Sequence, residues 1–384
     1  MRIGLVCPYS LTLPGGVQTQ VLGLARELRL RGHEARVLGP CDGPPPEPFV
    51  TPLGNSVPTA ANGSVAPLAP DPSCVLRTIR ALHDEEFDVL HLHEPLAPGP
   101  TLTTVFMRPG PLVGTFHAAG DSSTYRFLRP ATRATAERLD VRCAVSEDAR
   151  ELAARYLGGD YEMLYNGVEV ARYHRGEPYK ADGPTIFFCS RHEPRKGLAV
   201  LLQALARLPA DVRVWVASDG PETAALQLAH AGDPRVEWLG RISEDDKVAR
   251  WRGASVFCAP SLHGESFGVI LLESMAAGTP IVATDLDGYR KVARPGVDAL
   301  LVPPGDADAL AGAIGRVLAE PALAQQLVAA GRERAGQFSM AALAERYEGI
   351  YERLVAEGPG PGRRWSGPVA ATVRRTASRM LYPR

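Results

Sequence analysis

Two carboxylates flank a glycine-rich turn in the stretch Leu262-His263-Gly264-Glu265-Ser266-Phe267-Gly268-Val269, which runs on to Glu273-Ser274-Met275-Ala276-Ala277-Gly278-Thr279-Pro280. The apolar run from Ser255 to Pro260 reads as a strand ending just before this turn. The pattern from Phe267 to Ala277 reads as an amphipathic helix closed by Gly278 and Pro280. The first N–H groups of such a helix lack partners in their own ladder and can face an anion. Glu265 would then lie in the loop beside a reacting sugar. Glu273, about two turns into the helix, would accept hydrogen bonds from a ribose diol. This chemistry suits a phosphorylated sugar donor. The pair alone also fits a capped helix with solvated glutamates; the strand, the glycines and the closing Gly-Thr-Pro favour a site.

Three other stretches offer reactive or anion-binding groups. In Pro14-Gly15-Gly16-Val17-Gln18 the paired glycines Gly15 and Gly16 let backbone approach a phosphate or sugar, although any tight strand-to-helix turn also wants glycine. In Arg191-His192-Glu193-Pro194-Arg195-Lys196-Gly197 the cations Arg191 and Lys196 can neutralise a leaving diphosphate, a role exerted on charge that develops in the transition state. A solvated basic loop is the alternative. His117, after Thr115-Phe116, can hydrogen-bond sugar hydroxyls or simply end a strand. No metal site is expected from the nine histidines, although His91 and His93 alternate on one strand.

The elements that must position these residues follow from the alternation of short apolar runs with helical patterns. Ile3–Cys7, Ala35–Leu38, Phe87–His93, Leu112–Phe116 and Arg142–Val145 read as strands of one parallel, doubly wound sheet. After an irregular stretch from Asn166 to Pro184, the pattern restarts with Thr185–Cys189, Val212–Val216, Val236–Leu239, Val256–Cys258, Ile281–Ala283 and Ala299–Val302. Open α/β sheets bind ligands at the carboxyl ends of their strands, where all four candidate stretches fall. The Pro- and Gly-rich segment from Pro44 to Pro72 reads as a long irregular excursion.

With 384 residues, 45% apolar and 22% charged, the chain has the composition of globular material and room for about two domains. A formal net charge of −1 argues against nucleic acid as a partner. The six cysteines have no metal-type spacing and read as thiols of a reducing cytosol. The opening apolar run is too short for a secretory signal, and no span reaches a membrane helix, so a cytoplasmic protein is expected. The tail from Gly358 to Arg384 carries six arginines and no acid. It is either a solvated end or a segment drawn to anionic lipid.

Taken together, these motifs resemble the family 4 retaining glycosyltransferases of GT-B fold, and among them the actinobacterial phosphatidylinositol mannosyltransferases that use GDP-mannose. The residues carrying the resemblance run from Arg2-Ile3-Gly4-Leu5-Val6-Cys7-Pro8-Tyr9-Ser10 and the Gly15-Gly16 turn through His91-Leu92-His93-Glu94-Pro95, Thr115-Phe116-His117 and Asn166-Gly167-Val168. They continue through Glu193–Gly197 and Gly264–Gly268 to Asp285-Leu286-Asp287. The resemblance implies an α/β protein with two Rossmann-like domains facing across a cleft. These are an acceptor-binding domain at 1–168, a nucleotide-sugar-binding domain at 169–340, a helix at 341–357 crossing back to the first domain, and a basic tail at 358–384. It implies a hinge between Asn166 and Pro184.

By matching position, Gly16, Arg191 and Lys196 would hold the diphosphate, with Gly15 beside them. Glu265 and His117 would meet the transferred sugar and Glu273 the ribose. Phe267, Gly268 and Val269 would line the donor site, with Ile242 and Lys247 near the base. Tyr9, Gln18, Asn62 and Arg195 would surround an inositol phosphate. The implied reaction needs no cofactor, only the nucleotide sugar, and places the protein peripherally on the inner face of the cell membrane. Ala61 stands where an aromatic residue, and Ser122 where a lysine, belongs to the pattern. A UDP-sugar donor, a soluble acceptor, a silent sugar-nucleotide-binding protein and an epimerase on the same fold are the other readings.

Overall fold

Each alternation of apolar run and helical pattern becomes a parallel strand followed by a crossover helix. The computed structural model describes residues 1–61, 64–118, 126 and 128–358. They form two compact units: residues 1–167 joined by the segment that begins at Met340, and Val168–Ser339.

In the first unit seven parallel strands lie in the order Val50–Pro52, Glu34–Gly39, Arg2–Val6, Val89–His93, Leu112–Phe116, Val141–Ala144, Glu162–Met163. Chain order reverses between Arg2–Val6 and Val89–His93, which creates the switch point where doubly wound sheets open a crevice. The central strand Val89–His93 is buried along its whole length. Beneath this sheet, helix Gly16–Leu30 packs Val21, Leu24 and Leu28 against Met340, Ala344, Tyr347, Ile350, Tyr351 and Leu354 of the last described helix, Met340–Glu357. Those six recur at helical spacing, so a single face of the returning helix completes the core of the first unit.

In the second unit six parallel strands lie in the order Val236–Gly240, Arg213–Ala217, Thr185–Cys189, Val256–Ala259, Ile281–Thr284, Leu300–Val302. Here the reversal falls between Thr185–Cys189 and Val256–Ala259. The loops that follow these two strands carry Arg191 with Lys196 and Glu265, respectively.

Three expectations change in detail. The Pro44–Pro72 excursion is partly regular: it holds Val50–Pro52 and an antiparallel hairpin of Val57–Ala61 with Ser64–Leu68. The helix after the glycine turn begins at Val269 rather than Phe267. The stretch taken as a hinge is mostly fastened to the second unit. Val168 N–H donates to Phe338 O at 2.8 Å, Tyr179 N–H donates to Ala249 O at 2.9 Å, and Arg250 lays its guanidinium over the Tyr179 ring at 3.5 Å. The chain therefore passes between units only at Gly167–Val168 and Ser339–Met340. Among the described residues no helix is long and apolar enough to cross a membrane. Asn62, Ser122 and the basic tail lie outside the described residues.

Candidate active site

In the second unit, two strand-exit loops meet at Lys196 and Glu265. Gly197 has φ +69°, and a Cβ there would stand 1.9 Å from Pro260 O, so only glycine lets the Lys196 loop lie against the exit of Val256–Ala259. Lys196 Nζ reaches Glu265 Oε1 at 2.5 Å. Ser261 Oγ donates to the same oxygen at 2.8 Å and lies 2.9 Å from Tyr289 Oη. Arg191 and Arg195 are both drawn to Glu193, at 2.8 and 2.9 Å, and Arg195 also donates to Gly264 O at 3.4 Å. Glu193 thus gathers the cation expected on the diphosphate and the one expected on the acceptor.

Helix Val269–Ala277 opens from Gly268, which is left-handed at φ +89°; no side chain caps the helix and no acid occupies its first turn. Leu271 N–H donates to Gly268 O at 2.9 Å, which leaves the first two N–H groups of the helix, those of Val269 and Ile270, to face an anion. One helical face lower, Glu273 accepts from Tyr173 Oη at 2.8 Å and has Lys247 Nζ at 3.8 Å. Both contacts use Oε1, and Oε2 has no hydrogen-bond partner among the described residues. Burial raises the Glu273 pKa against the opposing pull of Lys247 and Tyr173. Burial also works to lower Lys247, but Glu273 and Glu244 outweigh it and the net shift is upward. A carboxylate with one oxygen held and the other open can take a vicinal diol.

Three expected donor residues lean on the apolar core of the second unit. Phe267 is 3% exposed, its ring edge-on to Phe338 at 5.6 Å, so only its backbone can line a ligand. Ile242 and Val269 pack against the same apolar cluster.

In the first unit, Gly15 is the extended residue before helix Gly16–Leu30, whose first turn has no side-chain cap. Gln18 is buried and donates to Ser10 O at 3.3 Å. Tyr9 bridges to Leu68 of the hairpin, and burial, followed by the charge of Glu94, raises its pKa. His117 is half-buried, with Nε2 2.9 Å from His93 Nδ1. Its backbone N–H and that of Ala118 both donate to Glu94 Oε1, at 2.6 and 2.5 Å. Burial drives His117 and His91 down to about 3 and lowers His93 as well, so all three are neutral near pH 7. Among the described residues no cluster of His, Cys, Asp or Glu has the arrangement of a metal site; His91 and His93 are instead joined to hydroxyls and to His117.

The sequence reading missed Glu94, Tyr173, Ser261 and Tyr289. Glu94 left a signal, a carboxylate at a strand exit immediately before Pro95, and the structure holds it at φ +50°, a conformation rare outside glycine. Tyr173 left none, because its partner is a hundred residues away.

Comparison with known proteins identifies the family and the fold. The family described as "Glycosyltransferase Family 4" matches residues 14–172, and that described as "Glycosyl transferases group 1" matches residues 183–320. A phosphatidyl-myo-inositol mannosyltransferase of Mycobacterium leprae is 40% identical over 93% of this chain and 98% of its own. Sucrose-phosphate synthase from Thermosynechococcus elongatus shares the fold with a TM-score of 0.71 at 22% identity, over 93% of this chain and 99% of its own. The Anabaena protein HepE, solved with UDP and glucose, does so with a TM-score of 0.70 at 20% identity, over 92% and 100%. Matched in both units and along nearly its whole length, the chain belongs to the family 4, group 1 glycosyltransferases and has their GT-B fold.

Proposed function

We propose that the protein transfers mannose from GDP-mannose to phosphatidylinositol, or to a related anionic lipid, with retention at the anomeric carbon. The observation that carries this reading is the 40% identity along nearly the full chain with a relative named phosphatidyl-myo-inositol mannosyltransferase; the donor and the retention follow from the resemblance. The second unit supports the donor half. Lys196 and Arg191 lie in the loop after Thr185–Cys189, where two cations suit a diphosphate, and the uncapped start of Val269–Ala277 adds backbone N–H groups. Glu273, with its open oxygen, takes the ribose, and Lys247 lies near the base. Glu265 and His117 contact the mannose.

In this reading no side chain acts as a covalent nucleophile. The acceptor hydroxyl attacks the face from which the nucleotide leaves, and the departing phosphate oxygen takes its proton. Cations at the diphosphate then stabilise charge as it develops. Tyr9, Gln18, Asn62 and Arg195 hold the inositol phosphate, and the protein works peripherally on an anionic membrane surface. Ala61 and Ser122 favour a second reading, a family 4 enzyme with a UDP-sugar donor or a soluble acceptor.

The test is turnover with radiolabelled GDP-mannose, alongside UDP-glucose, on vesicles containing phosphatidylinositol, following label into the lipid. Mannose in the lipid is the expected result. GDP-mannose bound or hydrolysed with no labelled lipid would remove the acceptor assignment, and labelled glucose in the lipid would remove the donor assignment.

A further inference from the structure

Three histidines from neighbouring strands form a stacked row in the first unit. His91 and His93 share a face of Val89–His93 with ring centroids 4.3 Å apart, and His117 lies over His93 at 5.2 Å. The innermost ring is saturated: His91 Nδ1 meets Tyr351 Oη at 2.6 Å and Nε2 meets Thr115 Oγ1 at 2.7 Å. Thr115 Oγ1 in turn meets Tyr347 Oη at 2.9 Å. The returning helix thus fixes His91 as a floor under His93.

His93 is not saturated. It is 2% exposed, its Nδ1 contacts His117 Nε2, and its own buried Nε2 has no hydrogen-bond partner among the described residues. A neutral imidazole carries one N–H, so one ring must donate across the 2.9 Å contact. A proton on His93 Nε2 would be a buried donor with nothing to receive it, and orphaned donors are the rarer and costlier defect. The proton therefore belongs on His93 Nδ1, donated to His117 Nε2. His117 must then carry its own proton on Nδ1, the ring nitrogen that has no partner among the described residues.

We propose that His93 is a positioning residue for the transfer reaction, fixing His117 as its Nδ1–H tautomer. His117 then offers the transferred sugar a hydrogen-bond donor, not a base. The oxygen it meets is a lone-pair acceptor, a sugar hydroxyl or ring oxygen. The opposite tautomer would present a lone pair and could meet only a hydroxyl that donates. The proposal rests on the reading of His117 as a sugar contact.

Long-range 1H–15N spectra of the full-length, 15N-labelled protein report which ring nitrogen of each histidine is protonated, with the His117 signals assigned by their loss in His117→Gln. His93→Phe keeps the ring stacked on His91 and removes the donor; His93→Asn keeps an N–H near the Nδ1 position. The expected result is His117 protonated on Nδ1 in the wild type, a tautomer mixture in His93→Phe, and the wild-type state restored in His93→Asn. With GDP-mannose, kcat falls about fivefold in His93→Phe at near-constant donor KM and recovers in His93→Asn. A wild-type His117 protonated on Nε2, or a tautomer unmoved by His93→Phe, would overturn the assignment. If the tautomers respond as expected but His117→Gln leaves kcat intact, the sugar contact fails, and with it the catalytic consequence given to His93.

Discussion

Lys196 and Glu265 close on each other at 2.5 Å, so the cation proposed for the diphosphate is held by the carboxylate proposed for the sugar. Ser261 donates to the same oxygen of Glu265 and links it to Tyr289. The pair is therefore balanced in charge, with neither ion left uncompensated in a largely enclosed place. A donor that brings its own negative charge competes with Glu265 for Lys196. The two side chains then have separable effects on binding and on turnover.

Glu265→Ala releases Lys196 to the diphosphate and removes a group at the reacting sugar. GDP affinity should hold or improve slightly while kcat falls about a hundredfold, the scale of losing one preorganised polar contact in a transition state. Calorimetric titration with GDP beside steady-state rates reads both, and a variant with wild-type kcat would take Glu265 out of the site.

Lys196→Ala has the opposite signature, because it leaves Glu265 facing the diphosphate unpaired. Nucleotide affinity should fall about tenfold and kcat with it, since the lost charge acts on the ground state and on the leaving group alike. Unchanged binding and rate would assign the diphosphate to Arg191 alone.

Tyr173 holds Glu273 in place from a segment that local pattern gave no reason to connect with it. Tyr173→Phe removes one hydrogen bond, and the expected cost is about a fivefold weaker GDP affinity, from the ~1 kcal/mol such a bond is worth. The loss should be smaller for 2′-deoxy-GDP, which offers Glu273 only one hydroxyl. Equal losses for both nucleotides would mean that Tyr173 acts on folding rather than on ribose recognition, and a thermal melt of the variant separates the two.

What the sequence made legible, and what it hid, divides along the range of the interactions. Parallel strands buried on both faces are continuous apolar runs, so Thr185–Cys189 and Val256–Ala259 and the charged loops after them could be placed directly. Glycines at the strand exits marked where Lys196 and Glu265 approach. Phe267 is placed by matching position alone, and nothing local tells that its ring meets Phe338 in a distant segment. The prolines from Pro44 to Pro72 suggested irregular chain, yet Pro58 stands opposite Pro67 in a hairpin. A two-stranded sheet is all edge, where a missing N–H is tolerated. Hydrogen bonds that join remote segments, such as Tyr351 with His91, have no sequence period at all.

That bond has its own consequence for stability. Tyr351→Phe leaves His91 Nδ1 buried without a partner, which should cost about 1–3 kcal/mol in a urea melt while leaving the apolar packing of the ring in place. The double variant with His91→Leu should cost less than the sum of the two single changes, because both partners of the bond are then gone. Additive losses would show that the contact contributes nothing beyond packing.

Glu94 carries the clearest dependence on pH. Burial raises its pKa to about 7 from 4.5, against the two backbone N–H groups of His117 and Ala118 that favour the charged form. With the folded pKa above the unfolded one, the folded state holds the proton more tightly. The contribution of Glu94 to stability is thus fully present below pH 4.5 and is lost as pH rises through 7. The span corresponds to roughly 3 kcal/mol. The buried histidines bend the curve the other way, losing stability as pH falls below 6.5, so wild-type melts alone would mix the two effects. Glu94→Gln keeps a carbonyl oxygen for both N–H groups and cannot ionise. Subtracting its urea-melt stabilities from those of the wild type cancels the histidines. The difference should shift against the wild type by a few kcal/mol between pH 4.5 and 7 and be flat on either side. A difference that is flat throughout would mean that Glu94 reaches solvent and ionises as an ordinary carboxylate.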